Sequence, residues 1–305
     1  MSLRPAVPAR FAALLLPLAF AACATSATVC RTEITLEDRQ HLMLAPVLVN
    51  GTSVPGIFDT GAQTSAVTEA LVTRLGLLTD LRHGSLMSGV GGEGTPQNDA
   101  LVSQFSLAGF DPDQGHYPVI SVPVTAANGA APLGALIGAD AISHFDVDFD
   151  IGHRRVTLYD PDRCQGKLPD WQGPVVQVPV EVTWSGRLLL TVKVDGHDLH
   201  AMLDSGATGS VLDLPAAEKL GVSREMLAHE QGGEGFGAAG VSFQHVLHTF
   251  HSLEIGGERY ESPKISVLDR DLREADMLLG LDWLRAHRVW ISYRHHRLLI
   301  ARPVG

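Results

Sequence analysis

The chain has 305 residues, 45% of them hydrophobic and 19% charged, enough for two lobes that each bury a core. A formal net charge of −11 argues against a nucleic-acid partner and offers no basic surface for an anionic membrane. The 31 glycines and the short alternating apolar runs point to β structure.

The N-terminus reads as a secretory signal over residues 1–27. Arg4 and Arg10 form its basic region, Phe11 to Ala22 its apolar run, broken by Pro17, and small residues follow at Ala24 and Ala27. The apolar run is too short for a comfortable membrane span. Two processing outcomes stay open. One is lipidation at Cys23 in Ala21-Ala22-Cys23, although Phe20 stands where Leu is usual; the other is cleavage as late as Ala27. Either outcome exports the chain to the periplasm, with a lipid on Cys23 as its one expected membrane anchor.

Alternation at Ile34 and Leu36 and the run Leu42 to Val49 predict a hairpin, and Val54 to Phe58 a strand that ends on Asp59. Thr68 to Leu75 predicts a short helix with Thr68 as N-cap and Gly76 just past its end. A Gly-rich stretch, Ser88 to Gly94, comes next. Strands are expected at Leu101 to Leu107 and Tyr117 to Val124, then at Leu136-Ile137 before Gly138-Ala139-Asp140, and in the basic run His153 to Tyr159. Asp160 to Pro174 has linker composition, rich in Asp, Pro and Gly.

After the linker the pattern starts again. Val175 to Val182 alternates as a strand, and Leu189 to Gly196 answers Leu44 to Gly51. Met202-Leu203-Asp204-Ser205-Gly206-Ala207 answers Ile57-Phe58-Asp59-Thr60-Gly61-Ala62 at an offset of 145 residues. A helix is expected over Leu214 to Leu220, with Asp213 as N-cap, Pro215 in its first turn and Gly221 as its stop. Gly232 to Gly240 answers the first Gly-rich stretch. Strands at Phe243 to Ile255 and Lys264 to Leu268, the run Leu278-Leu279-Gly280-Leu281-Asp282 and the basic strand His295 to Ala301 complete the second copy. The chain is an internal repeat, with lobes at 33–160 and 175–303 joined through residues 161–174.

Each copy places one Asp at the end of an apolar strand, before a tight Gly turn. Packing two such units about a pseudo-twofold axis brings the carboxylates together. Held about 3 Å apart they cannot both ionise and must share a proton. One then takes a proton from a water while the other gives one to a carbonyl oxygen. The bland alternative is a pair of turn-forming aspartates. The apolar Phe58 and Leu203 argue for burial instead, where a lone carboxylate is costly.

These duplicated motifs resemble the retropepsin-like and pepsin-like aspartic peptidases, whose signature is an apolar pair followed by Asp-Thr/Ser-Gly; the Ala after each Gly is closer to the retroviral branch. The resemblance covers roughly residues 33–303. It implies an all-β molecule of two pseudo-twofold-related β-barrel lobes with a central cleft and short helices. It implies an aspartic endopeptidase of exported or envelope proteins, with no cofactor and no metal. Its partner is an extended peptide or unfolded protein, and both halves of its pseudo-dimer lie within one monomeric chain. The alternative is a peptide-binding pseudoprotease, an envelope adaptor without turnover.

The resemblance also assigns residues. Asp59 and Asp204 are the catalytic dyad, with Thr60, Gly61, Ala62, Ser205, Gly206 and Ala207 supporting the two loops. Thr60 and Ser205 are expected to donate across the lobe interface. Val90, Gly91 and Gly92, and Gly235, Phe236 and Gly237, fall where flap hairpins contact substrate. Asp140 and Asp282 are structural and expected to cap the helices that begin there. Pepsin-type enzymes carry a hydroxyl where Ala62 and Ala207 stand; without that donor the dyad holds its proton to higher pH, so the optimum moves toward neutral.

Cys30 and Cys164 lie just outside the first copy, and an oxidising compartment permits a disulfide between them; two unpaired thiols are the alternative. His245, His248 and His251 do not make a metal site, because 248 points away from the strand face that 245 and 251 share. No His-Glu-x-x-His, Gly-x-Ser-x-Gly or Gly-Lys-Ser/Thr motif occurs.

Overall fold

The computed structural model describes residues 30–302 except 112–114, 125–129, 167 and 238–239. The expected signal, with Cys23, lies outside them, as does position 303. Strands hold 48% of the described residues and helices 12%, so the class is all-β.

The two halves start from the same hairpin. Leu42–Val49 pairs antiparallel with Thr52–Phe58, and Leu188–Val194 with His197–Leu203. The turns between them need positive φ at two successive residues: Asn50 and Gly51 sit at 47° and 78°, Asp195 and Gly196 at 51° and 81°. That is the type I′ pattern that Asn-Gly and Asp-Gly favour. Both polar side chains also tie down the neighbouring strand. Asn50 accepts from the Ser103 and Gln104 N–H groups, and Asp195 accepts from that of Ser252. This explains why the expected strand Leu101 to Leu107 is broken into Gln97–Val102 and Phe105–Ser106. Tyr117 to Val124 is similarly divided into Gly115–Tyr117 and Val119–Ile120, around Pro118, which has no N–H to give to a ladder.

In each half a later strand inserts beside the hairpin. Ala135–Ile137 runs parallel to Thr52–Phe58 and antiparallel to Ala66–Thr68. Met277–Leu279 lies in the same way between His197–Leu203 and Val211–Asp213. The Asp-bearing strands are therefore flanked on both sides, which is why Phe58 and Leu203 are buried.

Neither lobe closes into a barrel, contrary to expectation; the sheets are open. In the first lobe Thr79–Ser85, Gln97–Val102 and Gly115–Tyr117 form a sheet of their own. In the second, Ser242–Thr249 joins the main sheet through Lys264–Leu268. The difference follows from hydrogen-bond supply, since Thr79–Ser85 jumps register against its neighbour and Pro118 interrupts the link to the main sheet.

A six-stranded sheet joins the lobes, in the order Arg31–Thr35, Arg155–Tyr159, Asp146–Asp150, Val289–Ser292, Arg297–Ala301, Val175–Pro179. Three strands come from each half. The central pair, Asp146–Asp150 with Val289–Ser292, is antiparallel and marks the pseudo-twofold. Phe149 from this sheet meets Phe58 edge-to-face at 5.8 Å, coupling it to the first Asp strand.

The helices follow their sequence signals closely. Glu69–Leu75 is capped by the Thr68 hydroxyl, which accepts from the Leu71 N–H, and stopped by Gly76 at φ 60°. Leu214–Lys219 is capped by Asp213, which accepts from the Ala216 N–H. A short helix at Arg224–Leu227, capped by Ser223, was not expected. The linker holds a single helical turn, Pro161–Cys164, and Cys164 is disulfide-bonded to Cys30 across 134 residues of sequence. Closing so long a loop restricts the unfolded chain strongly. Replacing both cysteines by Ser should cost about 2–5 kcal/mol in urea unfolding.

Candidate active site

The strands Thr52–Phe58 and His197–Leu203 end side by side at the lobe interface and deliver Asp59 and Asp204. The Asp59 N–H donates to the Ile137 carbonyl at 3.0 Å and that of Asp204 to Leu279 at 2.9 Å, so each acid sits at a fixed end of its ladder. Only 7% of Asp59 and 8% of Asp204 is exposed. Each loop then folds back on its own carboxylate. Gly61 and Ala62 donate to Asp59 Oδ1 at 2.9 and 3.0 Å, and Gly206 and Ala207 to Asp204 Oδ1 at 2.8 and 3.1 Å.

The loops are locked to each other by a symmetric set of four buried hydrogen bonds. Thr60 Oγ1 donates to the Leu203 carbonyl at 2.7 Å and Ser205 Oγ to the Phe58 carbonyl at 2.6 Å. Each hydroxyl also accepts the other residue's N–H, at 3.0 and 3.1 Å. Thr60→Val keeps the shape but strands the Leu203 carbonyl and the Ser205 N–H. We expect a loss of about 2 kcal/mol by denaturant titration. A change within error would mean that water replaces the bonds.

Two glycines decide how close the acids come. A Cβ on Gly61 would lie 2.4 Å from Asp204 Cγ, and one on Gly206 would lie 2.3 Å from Asp59 Cγ. Each glycine therefore rests against the opposite carboxylate, a cross-lobe contact that the sequence did not disclose. Burial, followed by the neighbouring charge of Asp204, pushes the Asp59 carboxyl well above the usual carboxylate range. Burial raises Asp204 too, but the hydrogen bond with Asp59 and the nearby Arg187 guanidinium work against it. Both carboxyls are thus pushed toward holding a proton, as two buried acids that share one must be. Arg187, ion-paired to Glu274 at 2.5 Å, has Leu42 as its counterpart in the repeat, so the two acids are not electrostatically equivalent.

Asp140 and Asp282 do not cap their helices. Gly138 and Gly280 occupy the N-cap positions, and the acids sit one residue inside the first turn. Asp140 instead accepts from the N–H and hydroxyl of Ser65, and Asp282 accepts from the Ser210 hydroxyl. Each Ser oxygen also accepts the N–H of the cap glycine in its own lobe, Gly138 or Gly280, at 3.0 and 3.1 Å. Ser65 and Ser210 thereby pin each dyad loop to its own helix. Sequence reasoning passed over them, although both stand six residues after the Asp in their copy.

The Gly-rich hairpins cross. Gly91, from the first lobe, lies so close to Val241 of the second that a Cβ would come within 2.0 Å of its carbonyl oxygen; one on Gly237 would be 2.9 Å from the Gly91 nitrogen. Gly92 lies against Arg270. Val90 packs on the second lobe's cluster of Met202, Val211, Leu268, Ala275 and Leu278, as Ala207 does beside the dyad. Gly235 and Phe236 are not at this crossing: Gly235 lies under the Phe243 ring, and Phe236 is largely exposed. Beside the crossing is a cavity of about 340 Å³ whose lining includes Met87, Ile120, Glu69 and Glu93. The three histidines of the second lobe stay apart from this chemistry, with His248 bonded to Glu230 at 2.8 Å.

Paired, buried, proton-sharing carboxylates on a twofold between two β lobes define the class of aspartic acid–base sites. Comparison with known proteins agrees. Residues 45–141 match a family model described as "Aspartyl protease", and residues 190–286 match one described as "gag-polyprotein putative aspartyl protease". The chain belongs to the retropepsin-like aspartyl proteases, with two such domains in tandem. It is 34% identical over 114 residues to UBA domain-containing protein Mud1 of Schizosaccharomyces pombe, covering 37% of this chain and 32% of that one. It is 32% identical over 115 residues to Protein DDI1 homolog 1 of Mus musculus, covering 37% of this chain and 26% of that one. The chain thus spans about a third or less of the curated relatives it matches. A solved structure, a retropepsin-like aspartic protease from Rickettsia conorii, is similar at 22% identity over 44% of this chain and 96% of that one, with a TM-score of 0.35.

Proposed function

We propose that this protein is an aspartic endopeptidase that hydrolyses peptide bonds with a water activated between Asp59 and Asp204. The observation that carries this reading is the dyad: two buried carboxylates, each gripped by its own loop and each faced by the other's glycine. Asp204 takes a proton from the water as its oxygen bonds to the scissile carbonyl carbon. Asp59 gives its proton to the carbonyl oxygen. Collapse of the resulting diol breaks the C–N bond, and the amine leaves with a proton returned from the dyad. Net, one water is consumed and nothing is oxidised or reduced.

A peptide enters extended, beneath the crossed hairpins, which must part to admit it. The substrates we propose are exported or envelope proteins of the periplasm. The Cys30–Cys164 disulfide and the signal-like N-terminus support an oxidising, exported setting. The working unit is one chain, since both acids come from it.

Incubating the purified mature chain with an unfolded protein from acid to neutral pH should release fragments with new amino termini. Because Ala62 and Ala207 offer the carboxylates no side-chain hydroxyl, the bell-shaped profile should peak nearer neutral than pepsin's. No new termini at any pH, or cleavage that survives Asp204→Asn, overturns the proposal.

A further inference from the structure

At the root of the first-lobe hairpin lies a group of side chains that proteolysis does not use. Asp80 and His83 stand on Thr79–Ser85, and His116 on Gly115–Tyr117, two strands away in the same sheet. Their ligating atoms all lie within 4.8 Å of one another. His83 Nδ1 is 2.8 Å and His116 Nε2 is 2.9 Å from the same oxygen, Asp80 Oδ2. The two rings face each other with centroids 4.1 Å apart.

We propose that Asp80, His83 and His116 bind a divalent first-row transition ion such as Zn²⁺, outside the catalytic cleft. Two imidazoles and one carboxylate are a donor set that such ions favour, and three protein ligands leave a position for water.

The backbone builds this convergence. Thr79 faces Ala100 and Gly84 faces Asn98, so residues 80–83 stand opposite the single residue Asp99 and bulge out of the ladder. The bulge turns Asp80 and His83 toward the same point, which regular alternation along a flat strand would not do. Asp80 is also anchored as a metal-bound carboxylate should be. Its Oδ1 accepts the Arg82 N–H at 2.9 Å, leaving Oδ2 free to face the rings. Asp99, across the bulge, is a buried acid whose Oδ1 has no hydrogen bond, but its carboxylate is not one of the atoms that converge here.

The purely hydrogen-bonded alternative has both neutral rings donating to Oδ2. It requires nothing of the ring-to-ring approach, whereas one ion bound by both rings does. The spacing in sequence hid the group, because 33 residues separate His83 from His116 and no short motif contains them both. The second lobe has no equivalent: Glu225 and Ala228 stand at the positions that answer Asp80 and His83, and among the described residues no other such triad occurs. Since Thr79–Ser85 leads directly into the hairpin strand Ser88–Gly89, an ion here would fasten the base of one flap and leave the other free.

Calorimetric titration of the metal-stripped mature chain with Zn²⁺ at neutral pH tests this. One ion per chain is expected, with affinity reduced at least about tenfold in both His83→Ala and His116→Ala. A rise in thermal midpoint with Zn²⁺ should appear in the wild type and vanish in both variants. Both rings are more than a third exposed, so the variants should fold. Absence of saturable binding, or binding that both substitutions leave unchanged, overturns the proposal. Asp204→Asn should bind Zn²⁺ as the wild type does, so this test and that of proteolysis fail or succeed separately.

Discussion

Asp59→Asn should reduce cleavage of an unfolded protein by at least about 10³-fold while making the chain more stable at neutral pH. The first effect is chemical. The amide holds no proton it can lose or pass on, so neither the shared proton nor its transfer to the carbonyl oxygen survives. The second effect follows from burial. In the wild type the folded Asp59 holds its proton well above the usual carboxylate range, whereas the unfolded chain releases it at the ordinary value. Between those two values the folded state binds more protons than the unfolded one. Stability is therefore full below the ordinary value and is lost as pH rises toward the raised one. The amide oxygen can still accept the Gly61 and Ala62 N–H groups, so the variant keeps the loop and escapes the cost of burying a charge. Thermal unfolding of both proteins across pH should show a gap that narrows toward acid. A variant less stable than the wild type at neutral pH would mean that Asp59 is not the strained partner.

Gly206→Ala should damage the site nearly as severely, although it removes no functional group. The new Cβ would lie 2.3 Å from Asp59 Cγ and 2.4 and 2.5 Å from its two oxygens. Neither partner can give way easily. Asp59 is held by two backbone N–H groups, and the Gly206 loop is held by the Thr60–Ser205 lock. The carboxylates must therefore separate or tilt, which breaks the shared proton. We expect kcat to fall by about 10²-fold or more, and stability by about 1–3 kcal/mol. Gly209→Ala, three residues along, is the control: its Cβ would meet nothing nearer than 4.0 Å, so activity should be almost unchanged. Equal losses in the two variants would show that loop flexibility, not the contact with Asp59, sets the requirement for glycine.

The lock and the glycine contacts join the two halves of one polypeptide. Thr60 reaches across to Leu203, and Ser205 to Phe58, from different halves of one polypeptide. The six-stranded sheet, built from three strands of each half, holds these halves in one relative position. The two Gly-rich hairpins touch at Gly91 and Gly237, where a Cβ would collide with the opposite hairpin.

Much of this was legible in the residues because it is local and repeated. The apolar strand before each Asp, the Asn-Gly and Asp-Gly turns, the Thr68 and Asp213 caps and the two Gly-rich stretches each act within a few positions of the chain. The 145-residue offset then tied the copies together, and with them the dyad. What the sequence could not supply were relations between distant segments. Asp140 and Asp282 look like helix caps in one dimension, but the Gly138 and Gly280 backbones take that place and free the acids to bind Ser65 and Ser210. The open sheets depend on which strand edges still have N–H groups to offer after a bulge and a proline. The meeting of Asp80 and His83 with His116 depends on that same bulge. The sequence by itself determined which residues bear the chemistry and that there are two of each. Only the tertiary structure decided how far both acids are pushed toward holding a proton, because that turns on burial and on the charges brought beside each carboxylate from elsewhere in the chain.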